Sequence, residues 1–120
     1  MDLRCFMQMP RSNAINEYQR QTSKTAIYPP DKAIEYLSLG LTSEAGEVAG
    51  KVKKIIRDHS GVIDNNAGHA IAQELGDVLW YVAQIASVLN IKLADIAAMN
   101  ISKLLDRQKN DTIQGNGDNR

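Results

Sequence analysis

IEYLSLGLTSEAGEVAGKVKKI, residues 34–55, sets Ile34, Leu37, Leu41, Ala45, Val48, Val52 and Ile55 three or four positions apart. That spacing returns each side chain to one side of a helix, so the segment reads as a long amphipathic helix. Asp31 stands just upstream as a candidate N-cap, and Pro29-Pro30 must end whatever helix precedes it, because proline supplies no amide hydrogen. A second stripe runs over residues 69–89, where Ile71, Leu75, Val78, Val82, Ile85 and Leu89 alternate steps of four and three. Leu79, Trp80, Ala83 and Ala86 lie opposite or oblique to it. This helix is therefore apolar nearly all round and needs partners on both sides. Residues 58–68, between the two, combine Asp, Asn, Ser and two glycines and read as a loop.

Two further helices are expected. Residues 13–24 offer only the thin apolar side of Ile15, Tyr18 and Thr22, so that helix docks on a core made by others. After a break at Asn90-Ile91-Lys92, residues 93–108 carry Leu93, Ile96, Ala97, Ile101 and Leu104. No alternating run proposes a sheet and no fixed period proposes a repeat. The fold class is all-α: a bundle of four main helices, completed by oligomerisation, because a chain this short buries only a little over ~60% of its unfolded surface. Residues 1–12 read as an N-terminal extension, 13–108 as one domain and 109–120 as a polar tail whose final glycines and asparagines are frayed and without chemistry.

Fourteen basic against fourteen acidic residues leave no net charge, which argues against a protein that coats nucleic acid. Cys5 is the single cysteine, so no internal disulfide is possible and a reduced cytoplasm is expected. No stretch approaches the ~20 apolar residues that span a bilayer, so neither membrane insertion nor export is expected. Any anionic ligand must be met locally.

The local chemistry lies in four acids. Glu44 follows Leu41 by three and precedes Val48 by four, at the border of its stripe, with Glu47 one turn on. Gly40, Glu44, Glu47, Lys51 and Lys54 share that flank. Glu74 follows Ile71 by three and precedes Val78 by four, with Asp77 one turn on. A single pair of this kind is ordinarily a solvated helix surface, and Glu47 has Lys51 at hand as an ion-pair partner. Its repetition at the core border of two helices is what singles these acids out. If the helices pack antiparallel, the pairs converge. Two like charges at ~4 Å repel by roughly 4 kcal/mol at an effective dielectric of about 20, so such a quartet demands protonation or a cation. All-oxygen ligands select hard ions, and magnesium shares its remaining positions with substrate phosphates.

The segments GLTSEAGEV (40–48), Lys53-Lys54 and ELGDVLWY (74–81), with Asn100, Lys103, Leu104 and Arg107 downstream, resemble the MazG-like nucleotide pyrophosphohydrolases over residues 13–108. The resemblance implies an all-α bundle working as a homodimer or homotetramer. It implies cleavage of nucleoside triphosphates (NTP or dNTP) to monophosphate and pyrophosphate with Mg2+, Mn2+ being a substitute. By position, Glu44, Glu47, Glu74 and Asp77 match the family's metal ligands. The family pattern begins with two adjacent acids, and Ser43 stands at the first of them, which puts the metal count and the general base in question.

Hydrolysis needs a water aimed at phosphorus and charge neutralisation on the phosphate oxygens. Glu47 is the candidate for orienting that water. Asn100, Lys103 and Arg107 fall at i, i+3 and i+7 and present an amide and two cations to phosphates, with Lys51 and Lys54 assisting. Lys103 and Arg107 would equally suit a solvated helix C-terminus. Asn100, between Ala97 and Leu104, is expected near a buried edge. Tyr81 is a candidate contact for base or sugar, Trp80 is expected to point elsewhere and fill a subunit interface, and His59 and His69 are assigned to no metal. The alternative function is a nucleotide-binding or regulatory bundle that does not hydrolyse, motivated by Ser43; a purely structural bundle would show no response to magnesium.

Overall fold

A computed structural model describes residues 11–118. Among them are four α-helices and no strand: α1 (Arg11–Thr22), α2 (Ala33–His59), α3 (Asn65–Val88) and α4 (Leu93–Lys109). Short 3-10 turns, Ser23–Thr25 and Pro30–Lys32, lie between α1 and α2. The all-α class read from the stripes is what the structure has. Residues 1–10 of the expected extension, Cys5 included, lie outside the described residues.

The helix boundaries depart from two local signals of the sequence. Asp31 does not cap α2: it sits inside the 3-10 turn, and Lys32 occupies the N-cap position without a side-chain hydrogen bond. The turn started by Pro30 moves the helix start two residues past the acid. The expected loop over 58–68 shrinks to residues 60–64, because Asp64 caps α3 by accepting a 2.8 Å bond from the Ala67 amide. Asn90 ends the turn after α3 with a φ of 56°, the Ile91 amide reaching the Ala86 carbonyl and the Asn90 amide reaching Ser87. That pair of bonds is a Schellman closure. Asp111, with a φ of 55°, repeats it after α4, where the Thr112 amide reaches the Arg107 carbonyl at 2.7 Å.

α2 and α3 form the principal pair, joined by only five residues. Cross-helix neighbours run in opposite directions along the two chains: Gly40 against Tyr81, Glu44 with Asp77, and Lys51 with Glu74. The pair is therefore antiparallel. α1 packs on α3 and α4, and side-chain hydrogen bonds tie it to both. Gln19 Oε1 accepts from the Leu93 amide at 2.7 Å and Asn16 Oδ1 from the Ala94 amide at 3.0 Å. These amides at the start of α4 have no side-chain cap of their own, so α1 supplies it.

The buried apolar residues are few: Ala33, Leu37, Ile55, Ala83, Ala86 and Leu93. Much of the inward stripe expected from spacing is open, with Val52 37%, Leu75 53% and Leu89 53% exposed. Spacing identifies an apolar side; it does not say that the same chain supplies the layer covering it. The side of α3 that is buried carries Ala83, Gln84 and Ala86. The radius of gyration is 17.1 Å, against about 13.5 Å for a compact chain of this length.

Candidate metal centre

α2 and α3 each bring one flank of acids to their shared face. Carboxylate oxygens of Glu44, Glu74 and Asp77 all lie within 4.8 Å of one another. Glu44 and Glu74 are half-buried and Asp77 is exposed. Glu47, one turn beyond Glu44 and exposed, stands outside that group, yet its charge is felt at Glu44. Burial, and then the charges of Asp77, Glu74 and Glu47, push the Glu44 carboxyl above its usual range. Three acid groups at this spacing, with one already resisting ionisation, are a donor set that fits a hard divalent cation.

Lys51 Nζ lies 3.5 Å from Glu74 Oε1. The pairing of Lys51 with Glu47 weighed from sequence is thus replaced by one across the helix pair. Lys51 and Lys54 also line a 380 Å³ cavity with Ile55, His59, Asp64 and Ala70, toward the loop end of the pair.

On the other side of the acids lies a cavity of 410 Å³ lined by Thr25, Glu44, Asp77, Trp80 and Tyr81. Tyr81 lines this cavity beside the acids. Its ring rests against Gly40 so closely that a Cβ there would overlap the ring, so any other residue at that crossing requires Tyr81 to move. Burial first, then Tyr36, Glu44 and Asp77, raise the Tyr81 hydroxyl above its ordinary value. The expectation that Trp80 points away from the site is corrected: it follows Asp77 by three and shares its cavity. The indole Nε1 donates to Thr25 Oγ1 at 2.8 Å, and the ring packs edge-on against Tyr81 with centroids 5.0 Å apart.

Two residues to which the sequence assigns no site role complete this end. Tyr18 of α1 has its hydroxyl raised by burial and by the charge of Asp77, so α1 reaches the acids as well. Gln84, 2% exposed, donates to Thr22 Oγ1 at 2.7 Å and accepts from the Tyr28 hydroxyl at 2.8 Å, fixing the segment that carries Thr25. A glutamine inside an apolar helix was the available signal.

The residues of α4 are placed apart. Lys103 and Arg107 line a separate 630 Å³ cavity with Met99, Ser102, Asp106 and Asp118. Asn100, expected near a buried edge, is exposed, because Ile101 and Leu104 beside it are 56% and 40% exposed and no layer covers that side of the helix.

A family model for the MazG nucleotide pyrophosphohydrolase domain matches residues 32–112. Gene 37 protein of Mycobacterium phage L5 is 45% identical over 112 residues, covering 88% of this chain and 98% of that protein. No solved structure matches the chain.

Proposed function

The chain belongs to the MazG nucleotide pyrophosphohydrolase family, and from that premise we propose that it hydrolyses nucleoside triphosphates to nucleoside monophosphate and pyrophosphate, with magnesium held by Glu44, Glu74 and Asp77. The observation that carries the reading is the convergence of those three carboxylates within 4.8 Å across two helices. When bound, the divalent ion supplies charge neutralisation on phosphate oxygens and a more acidic water.

The chain's own groups do the rest. Glu47, exposed beside the cluster and outside its closest group, is free to orient the attacking water. Tyr81 and Trp80 wall the adjoining cavity, where flat rings suit a nucleobase. Lys51 and Lys54 extend the positive charge along α2, and Asn100, Lys103 and Arg107 supply an amide and two cations from α4. In one chain those α4 residues line a different cavity from the acids. A homodimer or homotetramer, supported by the exposed Ile56, Leu75, Leu79 and Leu105, is the arrangement in which a second copy covers the open apolar side. No single helix among the described residues is long and apolar enough to cross a membrane. The compartment this reading implies is the cytoplasm, where nucleoside triphosphates are held.

The test is a panel of canonical and modified triphosphates assayed for pyrophosphate release with magnesium, with manganese and with EDTA. Turnover that requires the divalent ion and disappears in Glu47→Gln and Asp77→Asn, both still helical by circular dichroism, supports the proposal. Ser43 is the observation that favours a second reading, a nucleotide-binding protein without turnover. Tight triphosphate binding with no product across the whole panel would establish that one instead.

A further inference from the structure

The segment after α4 turns back on the helix it leaves. Asp111 reverses the chain through its Schellman closure, and Gly115 and Gly117, with φ of 148° and 82°, complete the return. Both values lie where side chains with a Cβ are disfavoured, so the glycines of this polar stretch have a specific task. They deliver Asp118 to the two cations of α4.

Asp118 Oδ1 lies 3.1 Å from Lys103 Nζ and 3.2 Å from an Arg107 amino nitrogen. The same Arg107 nitrogen donates to the Gly117 and Asp118 carbonyls at 3.3 and 2.9 Å. Arg107 is 6% exposed, whereas Asp118 is 81% exposed. A buried guanidinium requires a counter-charge, and here that charge sits on an open segment. The Arg107 Nε is buried without a hydrogen-bond partner among the described residues. One exposed carboxylate thus leaves the guanidinium fork incompletely satisfied, where a phosphate has enough oxygens to fill it. The cations hold the Asp118 carboxyl below its ordinary range, so the contact is fully charged at neutral pH.

We propose that Asp118 is an internal competitor for phosphate anions: it occupies the Lys103–Arg107 pair and must leave before a phosphate or pyrophosphate group engages them. The proposal rests on the reading of Lys103 and Arg107 as phosphate-gripping side chains. It adds that their apparent affinity is set by how often the chain's own carboxylate is away. A site free for only a fraction of the time has its dissociation constant raised by the inverse of that fraction. A tethered carboxylate that is itself 81% exposed is displaced readily, so the effect is modest, about three- to ten-fold.

The experiment is titration calorimetry of the full chain with inorganic pyrophosphate in EDTA, comparing the parent, D118A, D118N and K103Q/D118A. The Gly117 and Asp118 carbonyls still accept from Arg107 when the carboxylate is removed, D118N keeps the side chain's size, and circular dichroism checks that each variant is folded. We expect D118A and D118N to bind pyrophosphate about three- to ten-fold more tightly and K103Q/D118A to lose that gain. Equal affinity in the parent and D118A, undetectable binding in all variants, or a gain that survives K103Q would overturn the proposal. With no divalent ion present, the outcome is independent of the acids on α2 and α3. Tighter pyrophosphate binding in D118A without triphosphate turnover in any variant would sink the hydrolase reading and leave this one standing; turnover with unchanged pyrophosphate affinity would do the reverse.

Discussion

Replacing Asp77 by asparagine removes one charge from a cluster of three, with almost no change in size or helix propensity. Oxygens of Asp77, Glu44 and Glu74 lie within 4.8 Å of one another. Each pair therefore repels by about 0.9 kcal/mol even at the dielectric of water, and by several-fold more in a drier setting. Asp77 faces two such neighbours, and because it is exposed the lower figure applies. Screening by salt trims the sum to about 1 kcal/mol. In EDTA, Asp77→Asn is expected to be the more stable protein by that amount, raising Tm by ~4 °C for a chain of this size. Magnesium at ten times its dissociation constant adds about 1.4 kcal/mol to the parent. The variant, lacking a ligand, gains little, so the order of stabilities reverses. Thermal unfolding followed by circular dichroism, with EDTA and then with magnesium, measures both differences. If Asp77→Asn is less stable than the parent in EDTA, and by the same margin in magnesium, these acids neither strain the fold nor share an ion.

Three further outcomes follow from the packing and the charges. Gly40→Ala, which in an open helix would stabilise by up to ~1 kcal/mol, is expected to lower stability by about 1–3 kcal/mol because its Cβ would overlap the Tyr81 ring; a urea midpoint above the parent's would contradict the close crossing. Gln84→Ala removes the amide that satisfies Thr22 and Tyr28 and is expected to cost about 2–3 kcal/mol, read from the same urea curves, with an unchanged midpoint counting against a tight polar network. Folding raises the Glu44 carboxyl above its ordinary 4.5, so the folded chain holds that proton more firmly than the unfolded one. The resulting stability is complete below pH 4.5 and lost as pH climbs through the elevated value. Glu44→Gln should flatten that decline in EDTA, and an identical pH slope in the variant would show that Glu44 does not cause it.

The helices and their acids were legible because each is a local property. Stripes at steps of three and four located α2 and α3, and the position of Glu44, Glu74 and Asp77 at the stripe borders followed from the same arithmetic. What spacing could not supply was the identity of the covering layer. Leu75 and Val52 look like core residues in sequence and are open in the chain. Non-local capping was equally hidden: nothing near Leu93 announces that Asn16 and Gln19, more than seventy residues away, satisfy the first amides of α4. Asp31 misled because a proline-initiated turn displaced the helix start. The apolar character of Trp80 suggests an interface, whereas its three-residue offset from Asp77 is what puts it in the same cavity. The glycines near Asp118 read as fraying because their left-handed geometry has meaning only once the chain is seen to return.

The hydrogen bonds that Gln84 and Trp80 donate to Thr22 and Thr25 give α1 and the turn after it a mode of attachment unlike that between α2 and α3. Greasy surfaces slide, since sideways shifts cost little where contact is non-directional. A buried amide bonded to a hydroxyl does not slide, because a displacement of one ångström leaves both groups without a partner. α1 is therefore fastened like a latch, in one register or not at all, and that register decides whether Tyr18 and Thr25 stand beside the acids.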